Sequence, residues 1–193
     1  MKSTTLALLL ATAMLAAQPA PVVDGLLPDT GGSGIPTIPV AESTPGGALE
    51  AMRAIPPDFS DGILVVTGRS GAPDPSDWIV LARENQDVST LERFVLRGGR
   101  VESRSTSLDA AEAFRGSDYI NPDEVAVDSR QAWTIAVGAL ESKGAAAASA
   151  DYSLKVPGKD VDGVWTVKVL DAKGNTLGEV EVSATSGDVL RSR

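Results

Sequence analysis

The stretch GVWTVKVLDAKGNTLGEVEVSATSGDVL, residues 163–190, decides the fold. Its first part places bulky apolar residues at every second position: Trp165, Val167 and Val169. A period of two predicts a strand with one buried face and one wet face. Residues 171–175 and 185–188 are rich in Asp, Gly, Asn and Ser, which favour turns. We therefore expect antiparallel strands at 164–170, 177–184 and 189–190, preceded by another at 152–156.

The segment before these strands predicts a helix. Asp128 followed three positions later by Gln131 is typical of a capping box. Apolar residues then recur at helical spacing: Ala132, Ile135, Ala136, Ala139 and Leu140, with Trp133 and Val137 widening the face. Lys143-Gly144 is a typical helix end. Residues 145–150 either prolong this helix or form a loop.

Residues 120–193 together resemble the PepSY family, which is named for the propeptides of secreted metallopeptidases. The resemblance is carried by the capped Ala-rich helix, the Trp-led strand at Trp165, and the closing pattern Val180-x-Val182-x-Ala184-x-x-Gly187-x-Val189. It implies a small antiparallel sheet with a helix across one face. It also implies an extracytoplasmic protein that inhibits a peptidase or binds another protein, without catalytic residues or a cofactor.

The first half repeats this order of elements. We expect a helix at 48–55 and strands at 63–66, 78–82 and 91–96. A hairpin is expected at 97–100, leading into 101–103, because paired glycines supply the positive φ that tight turns require. Trp78 and Gly99 precede Trp165 and Gly187 by 87 and 88 residues. The predicted fold class is α+β, with two tandem small antiparallel sheets each packed by a helix. Residues 48–106 would then be a degenerate PepSY-like repeat. Residues 107–193, with a further helix at 107–115, would be a PepSY-like domain. The alternative is that the two halves are unrelated α+β segments.

The N-terminus predicts a cleavable signal peptide at residues 1–17. Lys2 precedes an uncharged apolar stretch, and cleavage is expected after Ala17, with Ala20 as the alternative. Residues 18–47 contain six prolines and no Lys or Arg, which favours a flexible linker. Within it, residues 35–40 could be a short binding motif or plain linker. The chain has no Cys, so we expect neither disulfides nor a lipid anchor on Cys. The predicted signal peptide implies a secreted or periplasmic location.

The composition excludes several kinds of catalysis. The chain contains no His and no Cys, which removes His-based triads, thiol catalysis and ordinary zinc sites. Asp160-x-Asp162 and Asp171-x-Lys173-x-Asn175 are weakly similar to calcium loops but are explained by turn chemistry. Gly68-Arg69-Ser70-Gly71 lacks the ending of a phosphate loop and is interpreted as a turn. We expect no catalytic residues, no metal and no cofactor.

The leading functional hypothesis is an exported, non-catalytic module that binds a secreted peptidase or other extracytoplasmic protein and, in its narrower form, inhibits it. The contact is expected at an exposed sheet edge or on the wet face around Lys168, Glu179 and Glu181. With 17 basic and 26 acidic residues the chain suits a basic partner better than nucleic acid or an anionic membrane. The alternatives are an envelope-associated structural domain and a small carboxylate-dependent hydrolase, because paired acids can hydrolyse glycosides.

Overall fold

A computed structural model describes residues 46–84, 90–106, 114, 118–141, 146–159 and 161–193. Two α-helices lie within these ranges, α1 (Ala48–Ala54) and α2 (Ser129–Leu140). Short 3-10 helices occur at Pro57–Gly62 and Pro122–Glu124. The strands are β1 (Ile63–Gly71), β2 (Asp77–Ala82), β3 (Glu92–Arg97), β4 (Arg100–Thr106), β5 (Ser149–Lys155), β6 (Val164–Leu170), β7 (Thr176–Ser183) and β8 (Val189–Ser192).

Several sequence predictions fall outside the described residues. They are the signal peptide, the linker up to residue 45, the helix at 107–115 apart from Phe114, the helix end at Lys143-Gly144, and Asp160. No helix of the described part is both long and apolar enough to cross a membrane.

The predicted pair of tandem sheets is wrong, because the strands form one antiparallel sheet of eight in the order β4-β3-β2-β1-β5-β6-β7-β8. The halves join where β1 pairs with β5, with Val66 opposite Leu154 and Thr67 opposite Ser153. Separate sheets would leave these two strands as unpaired inner edges. Joining them satisfies their backbone donors and acceptors, and each half contributes four consecutive strands to the common sheet.

The two tryptophans near the starts of β2 and β6 lie in one shared core, which the prediction of two separate sheets did not anticipate. Trp78 is 3% exposed and Trp165 is fully buried, and their ring centroids are 6.5 Å apart. Helix α1 packs against β1–β4 and α2 against β6–β8, both contributing to this core. All described helices therefore cover the same face of the sheet, and the opposite face carries none.

Each indole is hydrogen-bonded to the residue that precedes a helix cap. Nε1 of Trp78 donates to the carbonyl of Gly46, and Nε1 of Trp165 donates to the carbonyl of Val127, both at 2.8 Å. Gly47 and Asp128 are the N-caps of α1 and α2. The two tryptophans thus fix the two helix starts in the same way.

The N-cap of α2 also caps α1. The predicted capping box of Asp128 and Gln131 is confirmed. In addition, Oδ1 of Asp128 accepts from the amide of Leu49 at 3.1 Å, and Oγ of Ser129 accepts from the amide of Ala48 at 3.2 Å. Gly47 has no side chain to cap these amides. The first helix therefore takes its cap from the second half of the chain.

Asp74 links this pair of helix starts to the loop between β1 and β2. Its Oδ1 accepts from Oγ of Ser129 at 2.7 Å, and its Oδ2 accepts from Nη2 of Arg130 at 2.8 Å. Nearby, the hydroxyl of Tyr152 donates to the carbonyl of Pro73, and burial raises the pKa of this tyrosine. The buried polar groups at the centre of the molecule are thus satisfied by one another.

The turn predicted at residues 68–71 is wrong, because β1 continues to Gly71. Gly68 lies opposite both Trp78 and Tyr152. A Cβ at this position would lie 2.4 Å from Cγ of Pro75 and 2.8 Å from the Trp78 ring. The glycine is needed because the indole lies directly on the strand backbone.

Replacing Asp128 by Ala should lower the free energy of unfolding by about 2–3 kcal/mol, since two helix starts lose a cap at about 1 kcal/mol each and buried amides stay unsatisfied. Urea denaturation measures the change. Asp162→Ala is the matched control, because Asp162 is exposed and forms no hydrogen bond or ion pair within the described ranges. Equal urea midpoints for the two variants would contradict the shared cap.

Gly68→Ala should also destabilise the fold, by about 1–3 kcal/mol, because the added methyl group overpacks the core at the Trp78 ring. Gly138→Ala is its control, since Gly138 lies in α2 with open space around it and Ala favours a helix. Thermal unfolding should move in opposite directions for the two variants. A Gly68→Ala protein as stable as the unaltered protein would show that the indole does not contact the strand so closely.

Candidate protein-binding face

The face of the sheet opposite the helices, called the open face below, carries one unbroken cross-strand row. Strand register places one residue from each of the eight strands in this central row. From β4 to β8 its members are Ser103, Val95, Ile79, Thr67, Ser153, Thr166, Glu181 and Arg191. Since directly opposed residues share a face, the row crosses both halves of the chain. Charge appears only at its β7–β8 end.

One corner of the open face is covered. Val65 and Leu81 pack in a small apolar cluster with Leu64, Leu91 and Phe114. This cluster is separate from the main core on the helix side. The corner is therefore closed, while the central row remains accessible, with Thr67, Ile79 and Thr166 only partly buried.

The residues predicted for partner contact, Lys168, Glu179 and Glu181, lie together on the open face. Lys168 is directly opposite Glu179, and Glu181 is two positions further along β7. Glu179 is ion-paired with Arg193, and Glu181 approaches Arg191 at 3.9 Å. Within the described ranges Lys168 has no ion pair. The three side chains therefore lie on the same part of the open face, but the two glutamates are paired with arginines.

Sequence reasoning missed the part of this face that comes from the first half. Thr67, Ile79 and Val95 occupy the same row as Thr166. The alternation of Asp77, Ile79 and Leu81 with buried residues in β2 was a usable signal. In β1 there is no such alternation of buried and exposed positions, because four successive residues from Ile63 are buried.

The electrostatics of the open face are set largely by ion pairs. Nη2 of Arg97 lies 3.0 Å from Oδ2 of Asp77, and Arg97 also contacts Glu102 at 3.3 Å. The hydrogen bond from Arg97 lowers the pKa of Asp77. At the other end, the hydrogen bond to Glu179 raises the pKa of Arg193. These pairs place opposite charges together at both ends of the open face.

Asp171, considered above as part of a calcium-like loop, closes the turn between β6 and β7. Its Oδ1 accepts from the amides of Lys173 and Asn175 at 2.8 Å each, and its Oδ2 accepts from the Asn175 side chain. Hydrogen bonding to Asn175 lowers the pKa of this carboxyl. Turn chemistry accounts for the motif, and the described residues contain no group of three or more potential metal ligands.

A pocket of about 490 Å³ opens at the end of the sheet where β5 and β6 meet. Its lining includes Asp118, Glu124, Asp162 and Lys159, together with Tyr119. A carboxylic acid that protonates a leaving group is usually held in a desolvated environment. Glu124 and Asp162 are exposed, so neither of these two acids is held in that environment.

The pKa of Asp77 should be measured below the ordinary value of 3.8 in a carboxyl-detected NMR titration. Arg97→Ala should raise it, because the lowering comes first from the hydrogen bond to Arg97. The folded-state pKa is depressed, so the stability contributed by the pair should be present at neutral pH and disappear as the pH falls through that value. Arg100→Ala serves as control, and an unchanged titration in Arg97→Ala would exclude the pairing.

Comparison with known proteins adds little to this geometry. No family model matches the sequence, and no curated protein matches it. A crystal structure from Clostridium difficile 630, provisionally described as a lipoprotein, is similar with a TM-score of 0.45 and 14% identity, covering 70% of this chain and 82% of that one. At that similarity it carries no argument about this protein.

Proposed function

We propose that this protein is a non-catalytic module that binds another extracytoplasmic protein through the open face. The observation that carries the proposal is the uncharged part of the central row, which runs from Ser103 to Thr166 across six adjacent strands. A central strip without charged side chains is typical of an interface centre.

The dimensions of the open face suit a protein rather than a small molecule. Eight strands about 4.8 Å apart span roughly 34 Å, and five or six residues along each strand span about 17–20 Å. The resulting area, about 600–700 Å², is close to the roughly 800 Å² that each partner contributes to a standard interface. The face is also a sheet surface, whereas small ligands favour concave sites.

The chemistry of the central row combines apolar contact with hydrogen bonding. Ile79 and Val95 supply apolar area, and the hydroxyls of Thr67, Ser153 and Thr166 supply polar contacts. None of these hydroxyls bonds to another group of the described part. A partner can therefore engage them without breaking a hydrogen bond formed within the described part of the chain.

The sheet edges are less suited to this role. Edge strand β8 has only four residues. Edge strand β4 carries Arg100, Glu102 and Arg104 among its seven exposed residues. Charges and short length protect an edge against strand addition, which favours the open face over either edge.

Inhibition of a secreted peptidase is the narrower form of the proposal. It is supported by the PepSY resemblance of residues 120–193, because that family includes peptidase propeptides. An open face of this size would block a peptidase by covering the surface around its substrate cleft.

A tryptophan placed in the central row should abolish binding of the natural partner. We expect Thr67→Trp to weaken an interaction with a purified extracytoplasmic partner by more than about tenfold, which corresponds to ~1.4 kcal/mol. Partners would be captured from the secreted fraction with the unaltered protein, purified, and measured by calorimetry. Peptidases among them would be assayed for inhibition.

The matched control is Thr134→Trp, which places the same side chain on the exposed surface of α2. It should bind like the unaltered protein. Equal binding of Thr67→Trp and Thr134→Trp, or the absence of any partner in the secreted fraction, would refute the proposal.

A further inference from the structure

The pocket at the end of the sheet where β5 and β6 meet, called the end pocket below, has an apolar floor. Ile120, Val125 and Ala184 line it, and all three are buried members of the main core. The segment that carries Ile120 and Val125 is fixed at both ends. The amide of Ile120 donates to the carbonyl of Ile63 at 2.7 Å, and the amide of Val127 donates to the carbonyl of Ala184 at 2.8 Å. The floor of the end pocket is therefore held in place by the fold.

Two large apolar side chains are exposed in the end pocket. Tyr119 is 42% exposed and Val161 is 49% exposed, and they are two of the five large apolar residues that the described part of the chain exposes. Single exposed apolar residues are ordinary, but a pair in one concave site is typical of a place where another molecule binds. The end pocket therefore offers apolar contact both on its floor and at its opening.

The charged residues of the end pocket are mostly acidic. Its lining contains three carboxylates and a single cation: Asp118, Glu124, Asp162 and Lys159. Asp118 and Asp162 form no hydrogen bond or ion pair within the described ranges. Glu124 accepts from the side-chain amide of Asn121 through Oε1 at 2.9 Å, and its Oε2 has no partner in the same ranges. The acids of this lining can therefore accept hydrogen bonds from a ligand.

A second pocket, of about 290 Å³, adjoins the end pocket, since Asn121 lines both. Met52 and Ile55, both buried, contribute its apolar part. Its charged residues are Asp61, Asp123 and Arg53. The arginine lies 3.9 Å from Asp123 and is therefore already engaged by one of these acids. Across the two linings the carboxylates outnumber the cations by five to two.

A long cationic side chain suits the end pocket better than a metal ion does. The described residues contain no group of three or more potential metal ligands, so the carboxylates do not converge on one point. The carbon chain of a Lys or Arg can lie along the apolar floor while its charged end reaches the acids. The ring of Tyr119 adds a face that attracts a cation.

We propose that the end pocket binds a Lys or Arg side chain of a basic polypeptide segment, and that the adjoining pocket takes a nearby apolar residue of the same segment. The balance of the whole chain, 17 basic against 26 acidic residues, favours the same class of ligand. The inference goes beyond the open face, because no residue of the central row lines either pocket. It adds a second binding site at the end of the sheet.

The probes are short, labelled, blocked peptides that carry one variable residue and one Leu, separated by a Gly spacer of varied length. The variable residue is Arg, Gln or Glu. Fluorescence anisotropy should show the Arg peptide binding at least about fivefold more tightly than the Gln peptide at low ionic strength, with the Glu peptide weakest. Added salt should reduce this difference, because it screens the charges. Replacing the Leu by Gly should weaken binding of the Arg peptide, because the adjoining pocket then stays empty.

The double variant Asp118→Asn/Glu124→Gln should abolish the preference for the Arg peptide, since it removes two carboxylates at nearly constant side-chain size. Glu102→Gln/Glu141→Gln removes two exposed carboxylates elsewhere, on β4 and at the end of α2, and should leave the preference unchanged. Urea midpoints would establish that both double variants fold. Tyr119→Ala should weaken the Arg peptide by about threefold, whereas Tyr119→Phe keeps the ring and should not.

The inference is overturned if the Gln or Glu peptide binds as tightly as the Arg peptide, if no Arg peptide binds, or if the two double variants have the same effect. A blocked single arginine that binds as tightly as the peptide with Leu would overturn the assignment to a polypeptide segment. Failure of these peptides to bind would leave the open-face proposal standing, because that proposal is tested by partner capture and Thr67→Trp.

Discussion

The structure depends on one buried interaction, the capping of both α-helices by Asp128 and Ser129. Helix α1 starts after Gly47, which offers no capping side chain, and its first amides bond to groups that lie 79 and 81 positions away in the sequence. Trp78 and Trp165 hold the residues just before the two helices by equivalent hydrogen bonds. A cap shared in this way couples the halves, since neither helix start is satisfied without the second half of the chain.

The same coupling explains why the sheet is continuous. With the helix starts and both indoles in one core, β1 and β5 are brought side by side, and pairing them removes two edges that would otherwise be exposed. Continuity also creates the open face, because a row such as Ile79, Thr67, Ser153 and Thr166 exists only when both halves share one sheet. Within the described part of the chain, a core on one face leaves most of the other face uncovered.

Local sequence patterns predicted the helices and strands well, but they did not predict which strands pair across the two halves of the chain. The Asp128 capping box, β6 at 164–170 and the Gly98-Gly99 hairpin follow from spacing and turn chemistry, and the structure contains all three. The union of β1 with β5 has no local signature, since no turn connects them. The residues of the open face were predicted only in part. Lys168, Glu179 and Glu181 lie in a strand pair predicted from alternation, whereas Thr67 follows four successive buried residues in β1.

Net charge alone does not describe the charge at one surface of this protein, because its charges are unevenly placed. The acidic total of this chain predicts a basic partner, and this stays a prediction; many of its acids lie in helices, turns and connecting segments, such as Glu50, Asp58 and Asp188. Over distances longer than about 8–10 Å, salt screens exposed charges. Charges that lie on the open face therefore act on anything in contact with that face more strongly than the acids elsewhere on the molecule do.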